Sequence, residues 1–169
     1  MTQPIFYFDK LNTWDKTTIF LYLLLSLGLW YCYDKSISGI ENSAILFGYA
    51  FGTQLFIYLI NYRSLRNLTV YFFWFLMGDL HLYIYFQLKE AAILQGVKAD
   101  YAIVLRNTII LLVIFQVLRF ISAKTQGREL VCPTRIGGPD LFGERPTTII
   151  DSASYAIYVG AMILLSFTR

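Results

Sequence analysis

Charged residues are scarce in this sequence. Only 15% of its 169 residues are Asp, Glu, Lys or Arg, whereas a soluble domain carries roughly 25% because its surface must face water. The deficit excludes an ordinary water-facing surface and leaves lipid as the simplest medium for the rest. Histidine occurs once and cysteine twice. His81 alone rules out a bis-histidine haem or a histidine-rich di-iron box, and with Cys32 and Cys132 it supplies too few ligands for structural zinc. No metal and no cofactor is therefore expected. Two cysteines outside a CxxC spacing also exclude a disulfide framework and a dithiol redox motif. No basic run interleaves with aromatics on a polar stretch, so nucleic acid is not expected as a partner. No glycine frame leads into Lys-Ser/Thr, and no Ser-His-Asp set has catalytic spacing. The opening MTQPIFYFDK lacks a small-residue cleavage site after a short apolar core, so a cleavable signal peptide is not expected.

What the chain has instead is apolar bulk: 57% hydrophobic and 18% aromatic residues, with a mean hydropathy of +0.55. Five apolar stretches fall at about 17–33, 44–62, 68–88, 101–121 and 149–167. Each approaches the roughly 20 residues that span a hydrocarbon core about 30 Å thick. Runs such as IFLYLLLSLGLW lack the alternation of a membrane β-strand, and only a helix satisfies its own backbone hydrogen bonds in lipid. The expected fold is an all-α, polytopic membrane protein with about five transmembrane helices in a compact bundle. Residues 1–16, with Phe6, Phe8, Leu11 and Trp14 mixed among charges, read as an interfacial segment. Residues 17–169 read as one transmembrane domain with a cytoplasmic loop at about 122–148.

With five crossings, the N-terminus and the second and fourth loops share a side holding nine of the 14 cations, from Lys10 to Arg145; the other side holds Lys35, Lys89, Lys98, Arg106 and Arg169. The positive-inside rule then puts the N-terminus in the cytoplasm and the C-terminus outside. A plasma or inner membrane is expected over an organellar one. Cys32 and Cys132 fall on opposite sides and cannot bridge. Asn42 or Ser43 can cap the second helix and Asn67 the third, and Thr148 with Asp151 makes a capping box for the fifth.

Asp79 and His81 lie near the middle of the third stretch. A carboxylate at that depth costs about 2.5–3.5 kcal/mol on insertion scales and needs a partner or a wet cavity. Two residues apart on a helix is about 200° of rotation, so the two point to different faces. Either Asp79 serves a proton or cation relay, with His81 and Tyr83 as secondary groups, or it makes a structural hydrogen bond between helices; the second reading is favoured. Arg106 can snorkel outward or reach Asp79. Gln54 and Gln116 read as interhelical amides. Small residues recur every four positions at Ala44, Gly48 and Gly52, and again at Ser152, Ala156 and Gly160. Such stripes let helices approach closely, with packing inside the chain favoured over self-association.

The stretch SAKTQGRELVCPTRIGGPDLFGERPT, 122–147, is the one sizeable aqueous segment. Its Arg128, Arg135 and Arg145 are candidates for headgroup or partner contact. Altogether the residues point to a small non-enzymatic membrane protein, a structural or accessory component of a membrane assembly, self-associated or joined to other membrane subunits within the bilayer. The alternative is a small proton or cation channel or transporter using Asp79 and His81. A membrane enzyme acting on lipid or quinone is the least supported, because too few reactive groups converge.

Overall fold

The computed structural model describes residues 7–34, 42–90, 97–135 and 137–168. Phe6, Lys35 and Arg169 lie outside the described residues, as do the side chains of Asn42, Ser43, Ala44 and Lys98. Five α-helices follow in chain order: α1 (Thr13–Asp34), α2 (Asn42–Leu59), α3 (Leu68–Glu90), α4 (Val97–Gln126) and α5 (Ile149–Phe167). A short 3-10 turn, Ser64–Arg66, leads into α3. The fold is the all-α bundle that the apolar runs imply. Among the described residues, three helices contain runs long and apolar enough to cross a membrane: Leu68–Lys89, Ala102–Gln126 and Ile149–Phe167. In α2 the apolar run Ile45–Leu59 is shorter.

Local chemistry sets where the helices begin. Asn67 Oδ1 accepts the Thr69 N–H at 3.0 Å and so caps α3. Thr148 and Asp151 form the reciprocal capping box at α5. A second box opens α1: Asn12 Oδ1 accepts the Asp15 N–H at 2.7 Å, and Asp15 Oδ2 accepts the Asn12 N–H at 3.0 Å. These bonds satisfy orphan donors of the first turn, and they start α1 ahead of the apolar run at 17.

α4 is the central element, packed against α2, α3 and α5. It packs tightly on α3 at Gly78, where a Cβ would lie 3.3 Å from the Ile109 Cα and the Leu112 side chain. Buried side chains form two apolar clusters. One gathers Tyr58, Trp74, Leu111, Phe115, Tyr158 and Met162; the other gathers Leu46, Ala50, Ile84, Tyr85 and Leu105.

The N-terminal segment, the connection 60–67 and the stretch 127–148 meet at one end of the bundle. Tyr7 bridges to Asn67, whose Nδ2 donates to the Asp9 carbonyl at 2.9 Å. Arg66 pairs with Glu144 at 2.8 Å. The stretch 127–148 is a folded cap. It is held by bridges between Pro133 and Asp140 and between Pro139 and Pro146, and by left-handed turns at Gly127, Gly137 and Gly143.

Candidate functional site

Three polar side chains inside the bundle, Ser26, Tyr49 and Thr108, converge on His81. It is fully buried on α3. Its Nε2 lies 3.2 Å from Ser26 Oγ on α1 and 3.1 Å from Tyr49 Oη on α2. Its Nδ1 lies 3.3 Å from Thr108 Oγ1 on α4. Ser26 and Tyr49 hydroxyls are themselves 2.6 Å apart, and Ser26 Oγ donates to the Tyr22 carbonyl at 2.8 Å. One imidazole thus ties four helices, and both ring nitrogens are used. Along their helices His81 and Thr108 fall between the two apolar clusters, and Ser26 and Tyr49 reach them there to form a polar layer. Interhelical hydrogen bonds in lipid are each worth about 0.6 kcal/mol, up to about 1.7.

Asp79 is not part of this layer. It is exposed on the outer face of α3, and no ion pair joins it to Arg106 among the described residues. The 200° between positions 79 and 81 sends one side chain outward when the other points in. Tyr83 also faces outward and accepts from Gln87 Nε2 at 3.1 Å. Arg106 is half-buried with its Nε unpartnered. Gln54 Nε2 donates to the Val104 carbonyl at 2.6 Å and joins α2 to α4, whereas Gln116 Nε2 donates at 3.2 Å to the Leu65 carbonyl in the 3-10 turn that precedes α3.

The small-residue stripes lie on open faces. Gly48 and Gly52 are exposed, and a Cβ on either would meet nothing within 4 Å. Gly160 is likewise open, Ala156 is exposed, and Ser152 is half-buried with its hydroxyl donating to the Thr148 carbonyl. Close packing within the chain is carried instead by Gly78.

The cap carries a second polar cluster. Asp151, fully buried, accepts from Arg145 Nη1 and Nη2, both at 2.8 Å, and from the Thr148 N–H at 2.8 Å. Arg145 also donates to the Glu129 carbonyl at 2.7 Å. Arg119, 1% exposed, makes a two-pronged pair with Glu129 at 2.7 and 2.8 Å. Arg128 and Arg135 remain exposed, whereas Arg145 is committed inward. Tyr62 Oη donates to Asp140 at 2.6 Å. Burial pushes the Asp140 carboxyl up, but hydrogen bonds from Tyr62 and from the backbone N–H groups of Arg145 and Phe142 outweigh it and hold the group below its ordinary value. The Cys132 thiol is pushed up to about 11, first by burial and then by the nearby Asp140 charge. It is an inert core thiol.

Sequence reasoning singled out His81 but missed its partners Ser26, Tyr49 and Thr108. Helical hydroxyls are common and bond locally, so nothing in their spacing marks them. Arg119, Asp15 and Asn107 were also missed. Asn107 is fully buried with both amide atoms unpartnered. Among the described residues no group of three or more His, Cys, Asp or Glu could hold a metal ion. No protein family, no curated protein and no solved structure matches this chain.

Proposed function

We propose that this protein is a non-enzymatic helical component of a membrane assembly, joined to the transmembrane helix of another subunit or a second copy through α5. The observation that carries the reading is the outward face of α5. Tyr158 and Met162 face the bundle, while Ala153, Ala156, Ile157, Gly160 and Leu164 form an apolar seam on the other side that is largely open among the described residues. Small residues on such a face let a second helix approach to backbone contact, which is the main source of helix association in lipid. The capped end, with most of the Lys and Arg, is assigned to the cytoplasm and the C-terminal end to the outside, in a plasma or inner membrane. The folded cap, with exposed Arg128 and Arg135, then presents a fixed surface at the headgroups.

A channel or transporter is the second reading, and one observation favours it: a titratable imidazole lies at the crossing of four helices. Its surroundings are neutral hydroxyls and Asp79 points away, so the layer has the makings of a lock more than of a relay. Two measurements on native nanodiscs separate the readings. The assembly reading expects a particle heavier than one 19.6 kDa chain that Gly160→Leu reduces to a single chain, and no proton flux in liposomes. A particle of one chain, or a pH-dependent flux abolished by His81→Ala, would overturn it.

A further inference from the structure

A cleft of about 560 Å³ opens at the capped end, between the N-terminal segment and the connection from α2 to α3. Its walls carry charges of both signs: Lys10 and Arg63 against Asp9 and Asp15. Asp15 is the unusual member. The residue is 3% exposed, its Oδ2 is used by the Asn12 N–H, and its Oδ1 has no hydrogen-bond partner. A carboxylate oxygen sealed from water without a donor is costly, so the cleft lacks a hydrogen-bond donor at this point. Arg63 is half exposed and pairs with Glu144 through Nε at 2.5 Å; among the described residues its two Nη atoms take no hydrogen bond. Trp14, half exposed, lines the same cleft and donates through Nε1 to Asn61 Oδ1 at 3.3 Å. An indole with one wet and one apolar side belongs at the headgroup level of a bilayer.

Ile60 lines both this cleft and a second hollow of about 420 Å³, which runs along α1 and α2 past Leu59, Phe56, Leu25, Gly52 and Gly48. That hollow is apolar, and its glycines leave open the space that side chains would fill. A zwitterionic pocket therefore shares its Ile60 wall with a groove that has the chemistry of a hydrocarbon chain.

We propose that this surface binds an ethanolamine phospholipid, with the primary ammonium on Asp15 Oδ1, the phosphate between Lys10 and Arg63, and one acyl chain in the α1–α2 groove. Oδ1 is closed to water, so binding requires the Asp15 side chain to turn into the cleft, where a primary ammonium brings three N–H donors to the oxygen that lacks one. A choline headgroup has the same net charge and no N–H at all, so it leaves Asp15 unsatisfied. A metal ion is a poorer occupant, because no cluster of three acidic, His or Cys ligands surrounds the position among the described residues. The proposal uses α1 and α2 and stands apart from the α5 contact.

The test is competitive lipid retention by the full chain in mixed micelles, read by native mass spectrometry. The lipids share acyl chains and differ only in headgroup: ethanolamine, its mono- and dimethyl forms, and choline. Retention is expected to fall stepwise as N–H groups are lost, by at least tenfold from ethanolamine to choline. Asp15→Asn should bring that ratio within about twofold, and Arg63→Gln should weaken all four lipids while leaving the ratio intact. Since Asp15 also caps α1, the wild-type headgroup series serves as the readout that does not depend on that variant folding. Soluble glycerophosphoethanolamine distinguishes a lipid from a free headgroup: it should compete at least a hundredfold more weakly, and Gly52→Leu, which fills the groove, should remove most of that difference. Equal retention of choline and ethanolamine lipids overturns the headgroup assignment. Equal competition by the soluble headgroup, or an unaffected Gly52→Leu protein, overturns the acyl-chain site.

Discussion

Replacing Asp151 with alanine should open the cap. Asp151 is the point where three elements are tied: its carboxylate takes both Nη atoms of Arg145, the Thr148 N–H that begins α5, and, at 3.3 Å, Gln126 Nε2 from the end of α4. The group is fully buried and Arg145 is 15% exposed, so solvent screens the pair little. Removing one partner of a buried pair leaves the other charge uncompensated and costs about 3–5 kcal/mol. At 1.4 kcal/mol per decade, the open population rises about 100- to 4,000-fold. Cys132 reads this opening directly, because it sits in the cap at 2% exposure. On a Cys32→Ser background, the rate of maleimide labelling of Cys132 tracks the open population while reclosing outpaces labelling. Asp151→Asn, which keeps an acceptor for Thr148, should fall between wild type and Asp151→Ala. Arg145→Ala added to Asp151→Ala should cost less than the sum of the two, since both break one interaction. A labelling rate within threefold of wild type in Asp151→Ala would refute the claim that this pair holds the cap shut.

Two further outcomes follow from the packing and the cap. Gly78→Val should destabilise the detergent-solubilised protein by about 1–3 kcal/mol through overpacking against Ile109 and Leu112, whereas Gly48→Ala, into open space, should leave the thermal midpoint unchanged; equal effects would deny the close α3–α4 approach. Asp140 has a depressed folded pKa, so its contribution is fully present above the ordinary carboxylate value of about 3.9 and is lost as pH falls below that toward the folded value. Hydrogen exchange at the Leu141 and Thr147 amides should therefore accelerate only under those acidic conditions once corrected for intrinsic rates, and Asp140→Asn should reduce the pH dependence to the part left by Asp151, whose carboxyl is also held low.

Several features were legible in the chain because they depend on local or solvation chemistry. The helices follow the apolar runs, three of which are long and apolar enough to span a membrane among the described residues, since a backbone in lipid must bond to itself. The capping box at Thr148 and Asp151 and the Asn67 cap were readable from three-residue spacings. That Asp79 and His81 face apart followed from 100° per residue. Their assignment was harder: burial of a polar residue depends on which face of its helix meets the others, and α3 is apolar on every side. No periodicity in the run Phe75 to Tyr83 says that His81, and not Asp79, turns inward. Likewise, the recurrence of Gly48 and Gly52 marks a face that admits a close neighbour without saying that one is there, while the solitary Gly78 carries the contact.

Sequence alone determined the apolar character of this protein, its helical class and the starts of α3 and α5, because these rest on composition and on bonds within a few residues. Tertiary structure decided the rest. It made 127–148 a folded cap on two buried charge pairs, and gathered Ser26, Tyr49, His81 and Thr108 into one layer across four helices. It also left Asp15 Oδ1 unanswered in a cleft between segments some fifty residues apart. Those outcomes depend on which faces meet, and in a chain this uniformly apolar the polar residues reveal their partners only after the helices have packed.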